Sequence, residues 1–183
     1  MRQPWQTLQV EVRGATAVVT LARERLRNAL NEQMIEELAA SFAELGGELA
    51  VRAIVLAARG PVFCAGADLD WMARTAAYSE QENRDDALRL ARMLRTIDQC
   101  PKLTLARVRG DAFGGGLGLI AACDVAIAAA GAGFCLSETR LGLIPATIGP
   151  YLIRAIGARH ARRYFQTAER FEGAEALRLG LLH

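Results

Sequence analysis

Two stretches of this chain share one design, and it limits what the chain can fold into. Each is a short apolar run that passes into glycines, and in each the glycines open a helical run. The first is a buried strand at Val51 to Ala57, followed by the turn of "GPVFCAGAD" with Gly66. The second is a strand at Leu103 to Val108, followed by Gly114, Gly115 and Gly116 and the run "LGLIAACD". The first N–H groups of a helix have no intrahelical acceptor, and the helix dipole favours negative charge beside them. Glycine lets the chain turn sharply there and lets a ligand approach the backbone. The pattern predicts N–H donors aimed at an anionic oxygen, although "GGG" by itself also fits plain loop and packing glycines.

The rest of the chain reads as an α/β protein. "LQVEVRGATAVVTLAR" predicts two strands around a Gly14 turn, because β-branched and polar residues alternate. "NEQMIEELAASFAEL" places Met34, Ile35, Leu38, Phe42 and Leu45 at helical spacing, with Asn31 as its cap and Gly46 and Gly47 ending it. A long helical region with a break near Ser79 runs to Cys100, "DVAIAAA" reads as a strand, and "ARHARRYFQT" and "AEALRLGLL" read as short amphipathic helices.

With 183 residues, 52% of them apolar, the expectation is one domain spanning 1–183 with a sizeable core. A net charge of +2 is too small to imply a nucleic-acid or acidic-membrane partner. No run is apolar enough to span a bilayer, and "MRQPWQTLQVEVRG" has no signal-peptide core, so a cytoplasmic protein is expected. Cys64, Cys100, Cys123 and Cys135 form no C-x-x-C pair and read as free thiols of a reducing compartment.

Two anions suit the glycine turns. A phosphate is one, but no G-x-x-x-x-G-K-[ST] is present, and Leu119 breaks G-x-G-x-x-G. A developing enolate or oxyanion is the other, with one N–H converging from each turn; such a donor contributes on the order of 3 kcal/mol to a transition state.

"FCAGADLDWM", followed by "GDAFGGGLGLIAACDVAIAAAGAGFCLSETRLGLIPATIGPYL" and preceded by "RNAL" at 27–30, resembles the crotonase superfamily, the enoyl-CoA hydratase/isomerase family. The resemblance covers essentially the whole chain. Within the family, "LSETRLGLIPATIGPYLIRAIG" is similar to hydratases of branched or carboxylated enoyl-CoA of the methylglutaconyl kind. The resemblance implies an α/β fold, a crotonase-like spiral of repeated ββα units, assembled as a homotrimer or hexamer. It implies an acyl-CoA substrate, with coenzyme A as part of the substrate rather than a cofactor. It implies an oxyanion hole from the N–H groups of Ala67 and Gly115, and CoA binding by Arg25, Leu26, Ala65, Ala67, Asp68 and Leu69. Two positions depart from the family pattern: Glu24 stands where a proline is common, and Asp70 where a basic residue is common.

Hydratases of this family commonly use two glutamates. The second carries over to Glu138; the position of the first is Gly118. Taken alone, Glu138 also fits a surface or cap glutamate. Gly118 leaves three readings: Glu138 working alone, a substitute acid such as Asp68 or Asp111, or isomerisation, which needs a single base. The expected function is hydration of an enoyl-CoA, with isomerisation as the alternative and a non-catalytic CoA- or RNA-binding module as a third class.

His160 and His183 read as solvated or interface residues, Cys64 as a packing thiol, and Arg154, Arg159, Arg162 and Arg163 as a solvated or oligomer-facing helix surface. No metal-ligand spacing is present. The chain stops at "RLGLLH", where family members usually continue into C-terminal helices, so those helices are expected to be missing.

Overall fold

The computed structural model describes residues 5–183; residues 1–4, part of the stretch read for a signal peptide, lie outside the described residues. Strands β1 (Leu8–Arg13) and β2 (Thr16–Leu21) form the expected hairpin, with Gly14 at φ 58°. Helix α1 (Glu32–Gly47) follows, its N-terminus capped by Asn31, which accepts from the Met34 N–H at 3.0 Å. It ends at Gly47, where the glycine pair predicts its end.

Three ββα units come next. The first is β3 (Ala53–Ala58), β4 (Val62–Cys64) and the helices α2 (Leu69–Thr75) and α3 (Glu80–Asp98). Ser79 forms a capping box with Glu82 at the break between these helices. The second is β5 (Leu103–Val108), β6 (Asp111–Phe113) and α4 (Gly115–Ala122). The third is β7 (Val125–Ala128), β8 (Gly133–Cys135), a 3-10 turn at Glu138–Leu141, and α5 (Gly149–Thr167), which is broken at Gly157. The chain closes with β9 (Phe171–Glu172) and α6 (Gly173–Leu179).

Each unit gives its first strand to one sheet and its second to another. The large sheet has the order β1-β2-β3-β5-β7, parallel from β2 onward; the small one has the order β4-β6-β8-β9. This is the expected spiral. Because β4, β6 and β8 lie side by side and parallel, the turns that leave them lie side by side as well. The residue pattern by itself does not reveal the small sheet, which only the resemblance implies: β4, β6 and β8 have three residues each, too few to display an alternation.

The β4–β6 ladder is irregular. Val62 pairs with Asp111 and Cys64 with Ala112, so β4 carries one extra residue. Successive side chains of a regular strand face opposite ways, yet Phe63 and Cys64 are both buried, as the bulge allows.

The core fills the space between the sheets and the helices, with Phe42, Phe63, Phe134, Met34, Leu38, Leu56, Met93 and Tyr164 sealed from solvent. Each such burial stabilises by roughly 1.5–3 kcal/mol relative to exposure. Two buried polar residues tie the edges down. Glu37 accepts from the N–H groups of Gln6 and Thr7 and from the Thr7 hydroxyl, at 2.9, 2.9 and 2.6 Å, which fixes the start of β1 on α1. Asn28, fully buried, accepts from the Arg23 N–H and donates to the carbonyls of Arg59 and Val62. Those bonds hold Arg27 and Asn28 in successive left-handed conformations, at φ 51° and 54°, which a non-glycine residue adopts at a cost of roughly 1–2 kcal/mol.

Candidate active site

The three side-by-side turns carry the three residues singled out from the sequence. Ala67 follows β4, Gly115 follows β6 and Glu138 follows β8, and all three line one cavity of about 340 Å³. Leu30, Trp71, Leu90, Leu143 and Ile148 supply much of its apolar wall. A second recess, of about 460 Å³, adjoins it through Ala65, Ala67 and Leu69 and is further lined by Arg25, Leu26, Arg27, Asp68 and Asp70. All six residues expected to bind CoA border this recess.

The glycines let these turns touch. Gly66 has φ +90°, and a Cβ on it would lie 3.2 Å from the Phe113 carbonyl oxygen. Gly114 has φ +46°, and its Cβ would lie 3.1 Å from Glu138 Oε1. Both conformations disfavour any residue with a side chain. A Cβ on Gly116 would meet Cys64 at 2.9 Å, so this glycine seats α4 directly on the end of β4.

The backbone of the first turn is held from one side. The Leu30 N–H donates to the Gly66 carbonyl at 2.7 Å, and the Asp68 N–H to the Leu30 carbonyl at 2.8 Å. In this parallel bridge between Leu30 and Ala67 the Ala67 N–H lies on the edge away from Leu30. Gly115 is the first residue of α4, where an N–H has no intrahelical acceptor. Among the described residues neither the Ala67 nor the Gly115 N–H has a hydrogen-bond acceptor.

Glu138 opens the 3-10 turn, which is closed by the Leu143 N–H donating to the Glu138 carbonyl at 3.0 Å. Its Oε2 is buried without a hydrogen-bond partner. Burial pushes its carboxyl above the usual glutamate range. It is the one ionisable side chain among the described residues lining this cavity, and no lysine, arginine or histidine lines it.

The position of the other glutamate is closed. A Cβ on Gly118 would lie 2.9 Å from Ile148 Cβ and closer to its Cγ2, with Leu94 Cδ2 at 3.6 Å. Gly118 is buried in α4 and does not line the cavity; Ile148 does. The two suggested substitute acids are engaged elsewhere. Asp68 pairs with Arg23 at 2.9 Å and caps α2 by accepting from the N–H groups of Asp70 and Trp71. Burial pushes its carboxyl up, but the Arg23 guanidinium and these amides outweigh that and hold it below the usual range. Asp111 accepts from the Gly133 N–H and the Arg170 guanidinium, and lines neither cavity.

Cys64 is a packing thiol: it is free, sealed from solvent and pushed up to about 12 by burial. His183 Nδ1 accepts from the Ala126 N–H at the edge of β7. The basic stretch is divided, with Arg154 paired to Asp98 and Arg163 to Glu169. No group of three or more His, Cys, Asp or Glu among the described residues is placed to hold a metal, and no helix among them is long and apolar enough to cross a membrane. Leu30, Trp71 and Ile148 were missed from the sequence, where each reads as ordinary core. Among the described residues the Trp71 Nε1 is the other buried side-chain polar atom left without a partner.

Comparison with known proteins places this geometry. The family model for enoyl-CoA hydratase/isomerase matches residues 11–183. The chain is 35% identical over 175 residues to the enoyl-CoA hydratase AKT6-1 of Alternaria alternata, covering 96% of this chain and 57% of that protein. It is 32% identical over 176 residues to the short-chain-enoyl-CoA hydratase of Clostridium acetobutylicum, covering 95% of this chain and 66% of that protein. It thus spans less than two thirds of the length of these relatives. The crystal structure of an enoyl-CoA hydratase from Shewanella pealeana superposes with a TM-score of 0.96 at 44% identity, over 98% of this chain and 68% of that one. The matched span, the spiral of ββα units and the turns that share one cavity agree: the chain belongs to the enoyl-CoA hydratase/isomerase family, within the crotonase superfamily.

Proposed function

We infer that the chain hydrates the α,β double bond of an enoyl-CoA, with Glu138 as its one acid–base group. The observation that carries this reading is the meeting, on one cavity, of two amide donors without acceptors and one buried carboxyl. The thioester oxygen sits between the Ala67 and Gly115 N–H groups. Glu138 takes a proton from water as the water oxygen bonds to Cβ, and the π electrons move onto the thioester oxygen as an enolate. The same carboxyl then returns the proton to Cα, the carbonyl reforms, and one water has been added. The CoA moiety lies in the adjoining recess, where Arg25 faces its phosphates. Exposed Leu141 and Ile144 rim the cavity and suit cover by a neighbouring subunit of a trimer or hexamer.

Isomerisation is the second reading. It is favoured by the closed Gly118 position, since moving a proton between two carbons of an enolate needs one base. The finer expectation of a carboxylated, methylglutaconyl-type acyl group lacks support in the wall: an anionic chain buried beside Glu138 needs a cation, and none lines the cavity among the described residues. A neutral acyl chain fits the apolar wall better.

Incubation with a panel of enoyl-CoAs, with hydrated and isomerised products separated, tests the proposal. Hydration that disappears in Glu138→Gln supports it; isomerised product alone favours the second reading; no product at any chain length overturns both.

A further inference from the structure

We propose that Leu30 is the positioning residue that sets the spacing between the two amide donors, and that the Arg23 guanidinium locks it in place. The inference rests on the reading of Ala67 and Gly115 as those donors. Leu30 touches both turns. Its backbone makes the two hydrogen bonds, at 2.7 and 2.8 Å, that bracket Ala67 and turn its N–H to the far edge. Its side chain packs on the other donor: a Cβ on Gly115 would lie 2.8 Å from Leu30 Cδ1, an approach that only a glycine permits. Leu30 is 1% exposed, and its backbone is pinned on both sides of the bridge to Ala67, so its Cα has little freedom to shift.

Arg23 holds the segment that carries Leu30. One end of its guanidinium donates to the Ala29 carbonyl at 2.5 Å and the other to Asp68 Oδ2 at 2.9 Å, one residue to either side of the Leu30–Ala67 bridge. The Ala65 N–H donates to the Arg27 carbonyl at 3.0 Å, and the Arg23 N–H to Asn28 Oδ1 at 3.0 Å, which closes the network. Arg23 is itself mostly buried, with 15% of its side chain exposed, and lines neither cavity, so its effect on the reaction passes through the backbone it grips.

The test uses Leu30→Val, which withdraws the contact with Gly115 but keeps the backbone bonds, and Arg23→Gln, which spares the core. A conjugated aryl enoyl-CoA reports polarisation of its carbonyl by a red shift in absorbance when bound. Both variants are expected to retain binding and KM, to lose much of the red shift, and to lower kcat toward the ~10²-fold that deletion of one oxyanion donor costs; Arg23→Lys is expected to recover part of both. Variants that melt earlier yet keep the native red shift and kcat overturn the proposal and leave a structural role only. A native protein that shows neither red shift nor turnover overturns the reading of the two amides itself, and the positioning role with it.

Discussion

Ile148 occupies the space that a side chain on Gly118 would need: the two Cβ atoms would stand 2.9 Å apart, across the wall between α4 and the cavity. This contact removes one carboxylate from the site and places an apolar side chain at the cavity surface. Gly118→Ala is expected to cost about 1–3 kcal/mol by overpacking, and Ile148→Ala in the same chain to return much of it. Thermal melts of the two single variants and the double variant measure the coupling.

Glu138 has the opposite problem, a buried carboxylate oxygen with no donor. Its folded-state pKa is raised by burial, so the native state holds the proton more tightly than the unfolded chain does. Its contribution to stability is therefore fully present below the ordinary glutamate value and is lost as pH rises through the folded value. Glu138→Gln is expected to lower turnover by roughly 10²- to 10⁴-fold while raising the melting temperature relative to the native chain increasingly above pH 5. The acid limb of the native rate profile should lie above the usual glutamate range.

Glu37 behaves in the reverse sense. Burial pushes its carboxyl up, but the Thr7 hydroxyl and the N–H groups of Gln6 and Thr7 outweigh it and hold the carboxyl low. This stability is present above the ordinary glutamate value and is lost as pH falls through the folded one. Glu37→Gln should cost about 1.5–3 kcal/mol near neutral pH, and acid unfolding monitored by circular dichroism should show the gap to the native chain closing at low pH.

Cys64 offers a check on the packing at the base of the first turn. With its thiol pushed up to about 12 and sealed from solvent, it should resist alkylation in the folded protein at pH 8 and react once denatured. Mass spectrometry of the labelled peptides reads this directly. Labelling of Cys64 in the native protein contradicts the close seat of α4 on β4.

The elements that the sequence disclosed are those with a period long enough to read. The 16-residue α1, with its Asn31 cap, and the break at Ser79 are visible because helical spacing and capping chemistry are local. The strands β4, β6 and β8 escaped because three residues carry no period, although they bring the turns together. Ala67, Gly115 and Glu138 were legible through motifs. Leu30, Trp71 and Ile148 were not, since an apolar residue on a cavity wall and one in a core look the same until the fold says which faces what. The Gly118 vacancy was legible; that Ile148 fills it depends on a contact across 30 residues of chain.

The extra residue in β4 sets the phase of all that follows it. Because Val62 and Cys64 bracket a single step on β6, the chain enters the Ala65–Asp68 turn half a pleat out of step with its neighbour. The N–H and C=O of one residue lie on the same edge of an extended segment, so a turn shifted by one residue would carry both groups of Ala67 to the edge that faces Leu30, away from the cavity. Loop length between β4 and α2 is therefore a digital rather than a graded variable: one residue more or fewer there turns the donor away from the cavity instead of displacing it slightly, however well the sheets tolerate it.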